Sequence, residues 1–468
     1  MHKISKTLHL EKWSHGGEAL AFDESARGPS THPVFVPGGV PGDVVTARII
    51  SSKKQYSRAL IEELKTPGPA RREAPCPVYE HCGGCQWQHT TDAEQLVAKR
   101  QLLIETLRKV GGWDMGHLQQ VVQPVLGMET PWAYRNKAQF PVQRINGQLK
   151  LGFYAPRSHD LTPVEHCLIQ HDLMNELLCF ITEALQNMPG LTPYDEQSHT
   201  GELRHVVLRH GFKTRQTLVG FVVNEQRPKR FEALAQQLLE RFDHVKGVVL
   251  NLNAERTNRI LGPQTLLLAG QDFYTDQLGD LHFDVSLPAF FQVNPLQTER
   301  LYNVAREFLT PVTGRYSTLL DAYSGAGTLS LWLAGLAESV IGVESNGAAV
   351  SNARANAKKN GVSGVRFIED RVENVISGCI EQVDAMLVDP PRKGCDARVL
   401  QAFVKSDIPQ LVYISCNPAT LARDSKLLRQ AGFALTACQP VDMFPQTHHL
   451  ETVACFEREV GISSRSLK

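Results

Sequence analysis

A cysteine and a glutamate near the end of the chain occupy positions suited to covalent chemistry. Cys416 follows the apolar run Leu411–Ser415 and precedes Pro418, so it lies between a predicted strand and the start of a helix. The positive end of a helix dipole lowers the pKa of a nearby thiol and favours the nucleophilic thiolate. Glu451, in the segment MFPQTHHLE, stands just before the next β-type run. A lone cysteine is more often a small buried hydrophobic residue. The presence of Glu451 nearby is what favours a group transfer with proton abstraction.

A glycine-containing loop indicates a nucleoside site. The segment DAYSGAGT, residues Asp321–Thr328, follows a predicted strand, and Glu344 closes the next strand 23 positions after Asp321. Two glycines allow close approach of the backbone to a ligand, and an acid at this spacing can accept hydrogen bonds from ribose hydroxyls. The third glycine of dinucleotide sites is missing, which favours S-adenosylmethionine over NAD. Asp370, after the third strand, is a candidate acceptor for the adenine amine. The alternative is an ordinary tight turn of an α/β core.

The segment Asp389-Pro-Pro-Arg392 follows the fourth predicted strand of the same region. Two prolines stiffen the backbone and remove two N–H donors, so the carbonyls and the Asp389 carboxylate can face a ligand. The alternative is a sheltered loop. Ligands of open α/β sheets bind at the carboxyl ends of the strands, which favours the ligand-side interpretation.

Three closely spaced cysteines form a candidate metal site. Cys76, Cys82 and Cys85 lie in CPVYEHCGGC, and Cys167 is a possible distant fourth ligand. Four thiolates suit a zinc ion or an iron–sulfur cluster equally well, and unligated thiols remain an alternative. Two histidines flank the group and are alternative ligands, His81 and His89.

The elements that position these residues fall into three predicted domains. Residues 1–66 contain short β-type runs separated by Pro-Gly turns, which suits a small barrel. A Pro-rich linker, the cysteine segment, a helix over Asp92–Val110 ended by Gly111-Gly112, and a mixed α+β region complete residues 67–285. From residue 318 strands, turns and helices alternate, which predicts a doubly wound, mostly parallel sheet within residues 286–468.

Composition limits the class of protein. The chain has 468 residues with 42% hydrophobic and 21% charged residues, as in ordinary globular proteins. Its ten cysteines are too sparse for a disulfide scaffold, and the start lacks a secretory signal, so we expect a cytoplasmic location. Net charge is zero, but residues 1–72 hold eleven Lys and Arg against seven Asp and Glu. A basic front segment suits a nucleic-acid partner, although a solvated charged face is the alternative.

These motifs together resemble the S-adenosylmethionine-dependent RNA uracil-5-methyltransferases. The resemblance includes HGGEALAF and VFVPGGVPGD in the front barrel, the cysteine segment, YRNK at 134–137, FFQVN at 290–294, DAYSGAGT, DPPRKG, ISCNPATLARD and MFPQTHHLE. A TRAM-like front barrel together with the cysteines is most similar to the branch that modifies 23S ribosomal RNA. Ala322 and Ser324 stand where Leu and Cys are frequent, and Thr328 where Asn is frequent.

The resemblance implies a fold, cofactors and site residues. It implies a class I (Rossmann-like) α/β methyltransferase sheet, an OB-like TRAM barrel that binds RNA, and a central α+β domain carrying an iron–sulfur site. Cys416 would be the nucleophile and Glu451 the base. The implied ligands of a [4Fe–4S] cluster are Cys76, Cys82, Cys85 and Cys167. The implied contacts of S-adenosylmethionine are Gln292, Tyr323, Thr328, Glu344, Asp370 and Asp389.

The implied reaction is methylation of carbon 5 of a uridine in large-subunit ribosomal RNA. Addition of a thiolate to carbon 6 would make carbon 5 nucleophilic, and the base would remove the proton left there. The uridine must be flipped from a loop or remodelled stem, and we expect a monomeric enzyme with no membrane partner. Arg392, Lys393 and the YRNK segment are candidate RNA contacts. The competing interpretations are a methyltransferase for tRNA uridine and a non-catalytic iron–sulfur RNA-binding protein.

Overall fold

The computed structural model describes residues 5–23, 32–225 and 227–459. Lys3, Glu24 and Arg27, which contribute to the charge count of the front segment, lie outside the described residues, as do the first four and last nine positions of the predicted domains. Within the described ranges, every helix is too short or too polar to span a membrane.

The front of the chain forms a six-stranded sheet that curls around a small apolar core. The sheet order is β1-β5-β6-β4-β3-β2, and β4 pairs with β6 in parallel while the other neighbours are antiparallel. Alternate residues of each strand point inward, so Val34, Val45 and Ala47 are almost fully buried. The predicted barrel strands are therefore present. Their bounds are β1 Ser5–His9, β2 Lys12–Trp13, β3 Ala19–Asp23, β4 His32–Val36, β5 Val44–Ser52 and β6 Ser57–Thr66.

Two helices after the cysteine segment pack on the last domain rather than on the central sheet. Helix α1 (Asp92–Thr106) continues as a π-helical turn, Leu107–Gly111, and α2 follows at Met115–Val121. Apolar side chains of this region, such as Leu103 and Leu118, share a core with strands of the C-terminal sheet. The segment is thus the structural bridge between the cysteines and the C-terminal domain.

The middle of the chain forms a seven-stranded mixed sheet with two helices on one face. The sheet order is β13-β12-β11-β10-β7-β8-β9. The strands β10 and β11 are buried at every position because helices cover one face and the hairpin β14–β15 contacts the other. The bounds are β7 Lys137–Ile145, β8 Gln148–Tyr154, β9 Leu161–Pro163, α3 Asp172–Gln186, β10 Leu203–His210, β11 Thr217–Val223, α4 Pro228–Arg241, β12 Val245–Leu252, β13 Gln264–Gly270, β14 Phe273–Leu278 and β15 Leu281–Ser286.

The last domain is the predicted doubly wound sheet. Its order is β18-β17-β16-β19-β20-β22-β21, and helices cover both faces. The first five strands are parallel, whereas β22 runs antiparallel to β20 and β21. The bounds are α5 Pro295–Leu309, β16 Tyr316–Ala322, α6 Thr328–Leu333, β17 Ala337–Glu344, α7 Gly347–Lys359, β18 Val365–Glu369, α8 Val372–Cys379, β19 Ala385–Val388, α9 Ala397–Lys405, β20 Gln410–Ser415, α10 Pro418–Gln430, β21 Phe433–Val441 and β22 Glu451–Arg458.

Strand β21 is absent from the strands that the sequence predicts. It is an edge strand that contains Pro440, and its register with β22 shifts between Leu435 and Ala437. Proline and an irregular register both weaken the alternation by which strands are recognised. The strand nevertheless matters, because the segment that follows it leads to Glu451.

Candidate active site

Strand register brings Cys416 and Glu451 to the same point of the C-terminal sheet. Ser415 of β20 pairs with Thr452 of β22, so the residue after the first lies across from the residue before the second. Val388 of β19 pairs with Tyr413 of β20, which places Asp389 at the same edge. The sequence prediction that these three side chains share one sheet edge therefore agrees with the sheet register.

The Cys416 thiol is half-buried at this edge, and its pKa is raised to about 11. Burial is the largest cause, and the carboxylates of Glu451 and Asp389 add to it, while the Arg392 guanidinium acts in the opposite direction. The expected lowering by the helix dipole is therefore wrong for the isolated protein. Desolvation and two nearby carboxylates outweigh the half charge at the start of α10.

Two carboxyl groups beside the thiol are also perturbed. Glu451 is buried, and burial together with the charge of Asp389 raises its pKa well above the ordinary value, against an opposing effect of Arg392. Burial and the charge of Asp321 raise the pKa of Asp389 to about 7. Carboxyl groups with raised pKa values are suited to accept or release protons near neutral pH.

Arg392 lies in the loop after β19, which is held against the start of α10. The Asn417 side-chain amide donates to the Arg392 carbonyl at 3.2 Å, and the Asp424 carboxylate accepts from the Cys395 backbone N–H at 3.0 Å. Gly394 has φ +82° and lies against α10, where a Cβ would meet Asp424 at 2.7 Å. The loop after β19 is thus fixed to α10, which keeps the exposed Arg392 side chain beside the thiol.

The glycine-containing loop has an open side. Tyr323 has φ +73°, and its backbone N–H donates to the Val343 carbonyl of β17 at 3.0 Å. Gly325 has φ +55°, and a Cβ there would enter open space, whereas a Cβ at Gly327 would meet Phe367 at 2.8 Å. The Glu344 carboxylate accepts from the Gly325 N–H at 3.2 Å. The two glycines therefore differ: Gly325 lies beside open space, and Gly327 allows close packing against Phe367.

Thr328 and Asp370 lie beside this loop, whereas the contact of Gln292 is with the central domain. The Thr328 hydroxyl is hydrogen bonded to the Tyr302 hydroxyl at 2.8 Å. The Asp370 carboxylate accepts from the Arg371 N–H at 2.6 Å and from Asn374 at 2.8 Å, at the start of α8. Gln292 lies in the loop before α5, where its carbonyl accepts from Asn136 at 3.0 Å.

These residues fit S-adenosylmethionine. The space beside Gly325 gives a ligand access to backbone, and Glu344 and Asp370 are acceptors at the ends of neighbouring strands. Burial raises the pKa of Asp321 to about 6 and that of Asp389 to about 7, and the two carboxyl groups are close enough for the charge of Asp321 to act on Asp389. A sulfonium cation complements such a pair, because an opposite charge favours the ionised carboxylates.

The four predicted cysteine ligands lie around one cavity of about 250 Å³. Among the residues that the structure describes, its lining includes Arg135 and Lys137 but no Asp or Glu. Burial raises the pKa of the Cys85 thiol to about 12, and the charges of the other three cysteines contribute. The structure thus brings together four cysteines that are separated by up to 91 positions in the sequence, Cys76, Cys82, Cys85 and Cys167.

The four thiols lie around one cavity but do not form a complete metal site. Within the described ranges, no group of three or more His, Cys, Asp and Glu side chains is arranged to hold a metal ion. Four thiolates suit a zinc ion or an iron–sulfur cluster, so the choice of metal stays open at this point. His89 is not an available ligand, because its ring nitrogens contact Tyr79 at 2.5 Å and the Gly39 carbonyl at 3.3 Å.

Three buried residues of the site had no role predicted from the sequence. Tyr302 lies in no recognised motif, whereas Asp321 and Gln446 lie inside DAYSGAGT and MFPQTHHLE. Two residues of the YRNK segment, Tyr134 and Asn136, are also buried and so do not offer surface to RNA. Their partners are distant in the sequence, and spacing within one motif cannot show this.

Comparisons with known proteins agree with this geometry. The model of the tRNA (Uracil-5-)-methyltransferase family matches residues 265–459. An uncharacterized RNA methyltransferase of Gloeobacter violaceus is 42% identical over 453 residues, covering 97% of this chain and 96% of that protein. Another from Halalkalibacterium halodurans is 39% identical over 451 residues, covering 96% of each.

A solved structure shares the overall fold. The Pyrococcus abyssi tRNA (uracil-54, C5)-methyltransferase in complex with S-adenosyl-L-homocysteine has a TM-score of 0.75 and 23% identity, covering 96% of this chain and 100% of that one. The family match lies on the sheet that carries Cys416 and Glu451, and the curated relatives extend over nearly the whole chain. This chain therefore belongs to the family of S-adenosylmethionine-dependent RNA uracil-5-methyltransferases.

Proposed function

We propose that the protein methylates carbon 5 of a uridine in 23S ribosomal RNA, with Cys416 as nucleophile and Glu451 as base. The observation that carries the proposal is the register of β20 and β22, which places these two side chains across from each other. Amine or hydroxyl methylation needs no covalent nucleophile beside the base, so this pair favours uracil chemistry.

The steps assign a task to each side chain. The Cys416 sulfur bonds to carbon 6 of the uracil, and the electron pair of the 5,6 double bond makes carbon 5 nucleophilic. S-adenosylmethionine supplies the methyl group that carbon 5 takes. Glu451 then accepts the proton from carbon 5, and the carbon–sulfur bond breaks to restore the double bond. Arg392 favours the thiolate because its cation lowers the pKa of Cys416.

Because the pKa of Cys416 is raised, formation of its thiolate should depend on the binding of substrate. A thiol with a pKa of about 11 is almost fully protonated near neutral pH, so the free enzyme is protected from unproductive alkylation. A bound sulfonium charge would stabilise both the Asp389 carboxylate and the thiolate. We therefore expect nucleophile activation to follow binding of the methyl donor.

We further propose that the cysteine cavity holds a [4Fe–4S] cluster. Four cysteines around one cavity support it, and Arg135 and Lys137 offset the charge of the thiolates. When bound, the cluster would join the segment of Cys76 to Cys85 with Cys167, which lies just before α3. Methyl transfer needs no electron, so a structural role is expected.

An RNA substrate is supported by the front sheet, which we assign as a TRAM-like RNA-binding barrel. It carries aromatic and basic side chains in mutual contact: the Arg58 guanidinium lies 5.3 Å from the Phe35 ring, and Lys53 lies 5.7 Å from the Tyr56 ring. Bases stack on aromatic side chains and arginine planes, and basic groups bind phosphates. The same sheet contacts the active-site segment, since Gly17 packs against His448. A target uridine must be flipped to reach Cys416.

The test is tritium release from carbon 5 of labelled uridine in unmodified 23S ribosomal RNA and in bulk tRNA. The assay uses S-adenosylmethionine and anaerobically prepared monomeric enzyme. Release from ribosomal RNA alone supports the proposal, and release from tRNA alone assigns the tRNA alternative. If neither RNA releases tritium while both bind, the protein is a non-catalytic RNA-binding member of the family.

A further inference from the structure

The segment before Glu451 is held along its whole backbone. Residues 442–446, called the base segment here, connect β21 to the turn that leads to Glu451. Each of its five carbonyls accepts a hydrogen bond from outside the segment. The donors are Gln297 to Asp442 at 3.0 Å, Asn294 to Met443 at 3.2 Å, Lys99 to Phe444 at 3.2 Å, Tyr134 to Pro445 at 3.0 Å, and the N–H groups of Gln86 and Trp87 to Gln446, each at 3.0 Å.

Gln446 differs from its neighbours because all of its polar groups bind one part of the chain. Its side-chain oxygen accepts from Gln95 at 3.0 Å and from Arg72 at 3.1 Å, and its side-chain nitrogen donates to Asp92 at 2.9 Å. Its backbone N–H donates to the Gln95 side chain at 3.0 Å. Its carbonyl accepts from Gln86 and Trp87, as described above. All of these hydrogen bonds therefore connect Gln446 to residues 72–95.

Backbone strain shows that these contacts determine the local conformation. Gln446 has φ +68°, a left-handed conformation that costs a residue with a Cβ about 1 kcal/mol or more unless surrounding contacts impose it. It is completely buried. Lys99 and Asp442 add a buried ion pair at 2.6 Å between α1 and the first residue of the base segment. The two ends of the base segment, Asp442 and Gln446, are therefore held by residues 72–99.

The contacts continue to the front sheet. Trp87 is buried, and its indole N–H donates to the Gly17 carbonyl at 2.9 Å. A Cβ at Gly17 would lie 2.9 Å from His448, so this glycine permits close contact with the turn before Glu451. The cysteine segment thus touches the catalytic turn directly and also through the barrel.

We propose that Gln446 is a positioning residue that makes the placement of Glu451 depend on the folded cysteine segment. This rests on the proposed function, because it assigns the cysteine segment a role in the proton-abstraction step. Cys416 lies between β20 and α10 and is placed by these two elements, so it does not need Gln446. Loss of the contacts should slow proton removal from carbon 5 while leaving formation of the covalent adduct intact.

The experiment compares Gln446→Leu with Gln439→Leu as matched control. Gln439 lies on β21, and its amide donates to the Pro124 and Pro440 carbonyls, away from residues 72–95. One readout is trapping of the adduct on RNA containing 5-fluorouridine, which has no proton to remove. The other is single-turnover tritium release from carbon 5. Circular dichroism and cluster absorbance report folding.

For Gln446→Leu we expect adduct trapping within about twofold of wild type and tritium release slower by about 10²-fold, as for a misplaced catalytic group. Gln439→Leu should leave both near wild type. Gln446→Gly keeps the left-handed backbone without the side chain, and it should give a smaller loss of the same kind. This variant decides the question if the leucine variant does not fold.

Equal loss of trapping and release, or no loss of either, would overturn the positioning role. If wild-type protein neither traps the fluorinated RNA nor releases tritium, the proposed function fails instead, and the two failures are therefore distinguishable.

Discussion

The protein places cysteines in two very different environments. Cys416 stands at a sheet edge beside Glu451 and Asp389, with one exposed arginine at the rim. The cavity cysteines lie beside Arg135 and Lys137, and no described residue that lines the cavity is an Asp or a Glu. Burial raises the pKa of thiols at both places, to about 11 for Cys416 and for Cys167.

The difference lies in what each environment can stabilise. A basic cavity lowers the cost of several thiolates held together, which suits permanent metal ligation. An acidic edge keeps a single thiol protonated until a cationic or electrophilic substrate arrives. Equal pKa values can therefore belong to a resting nucleophile and to a structural ligand, and the neighbouring charges distinguish the two. Four predictions test this distinction.

The largest effect is expected for Cys416→Ala. Without the sulfur, carbon 5 of uracil cannot be activated, and tritium release should fall by at least about 10⁴-fold, as for loss of other catalytic nucleophiles. Cys416 does not line the cysteine cavity, so cluster absorbance should remain unchanged. Activity within tenfold of wild type would show that the sheet-edge thiol is not the nucleophile.

Glu451→Gln should block the reaction after adduct formation. The amide cannot accept the proton, so turnover should fall by about 10²- to 10⁴-fold while a covalent RNA adduct accumulates. Denaturing gels of enzyme with labelled RNA measure the adduct. The matched control is Glu457→Gln, an exposed position on the same strand, which should behave as wild type. A Glu451→Gln enzyme that turns over normally and leaves no adduct would remove Glu451 from the mechanism.

Cys85→Ser should affect metal binding in the cysteine cavity more than it affects the site at the sheet edge. Losing one ligand should abolish cluster absorbance and iron content and lower the melting temperature, because bound metal stabilises the folded state. Cys179→Ser is the control, since this thiol is exposed on α3 outside the cavity. We expect S-adenosylmethionine binding to persist, measured by calorimetry. Full iron content in Cys85→Ser would exclude this cysteine as a ligand.

The smallest effect concerns the charge balance at Cys416. Its alkylation rate, followed by mass spectrometry of the Cys416 peptide, should rise with pH toward a midpoint near 11. Arg392→Gln removes a cation that favours the thiolate, so the pKa should rise and alkylation at a fixed pH below 11 should slow by about two- to fivefold. Glu451→Gln removes a carboxylate that disfavours the thiolate, so the pKa of Cys416 should fall and its alkylation should become faster. Identical profiles would show that these charges do not act on the thiol.

Much of the fold could be predicted because its signals are local. Alternating strands and helices after residue 318 predicted the doubly wound sheet, and the run Leu411–Ser415 falls within β20 and ends where β20 ends. The edge strand β21 could not be recognised, because Pro440 and a register shift interrupt its alternation. The packing of α1 on the C-terminal core also could not be predicted, since an apolar helix face does not indicate its partner.

The sequence by itself determined which groups are present and at which strand ends they stand. Cys416 after β20, Asp389 after β19 and Glu451 before β22 follow from residue order and from the rule that parallel strands end at one edge. Tertiary structure decided how these groups behave. The Cys416 pKa moved opposite to the expectation from the helix dipole, because desolvation depends on everything packed around a group.

The same division holds for the base segment. Its contacts join Gln446 to Gln95 and Arg72, more than 350 positions earlier in the chain. Hydrogen bonds over such separations leave no periodicity in either segment, and they form only when the barrel, the cysteine segment and the sheet are assembled together. The local sequence therefore determines which catalytic groups are present, whereas the whole fold determines their position and protonation.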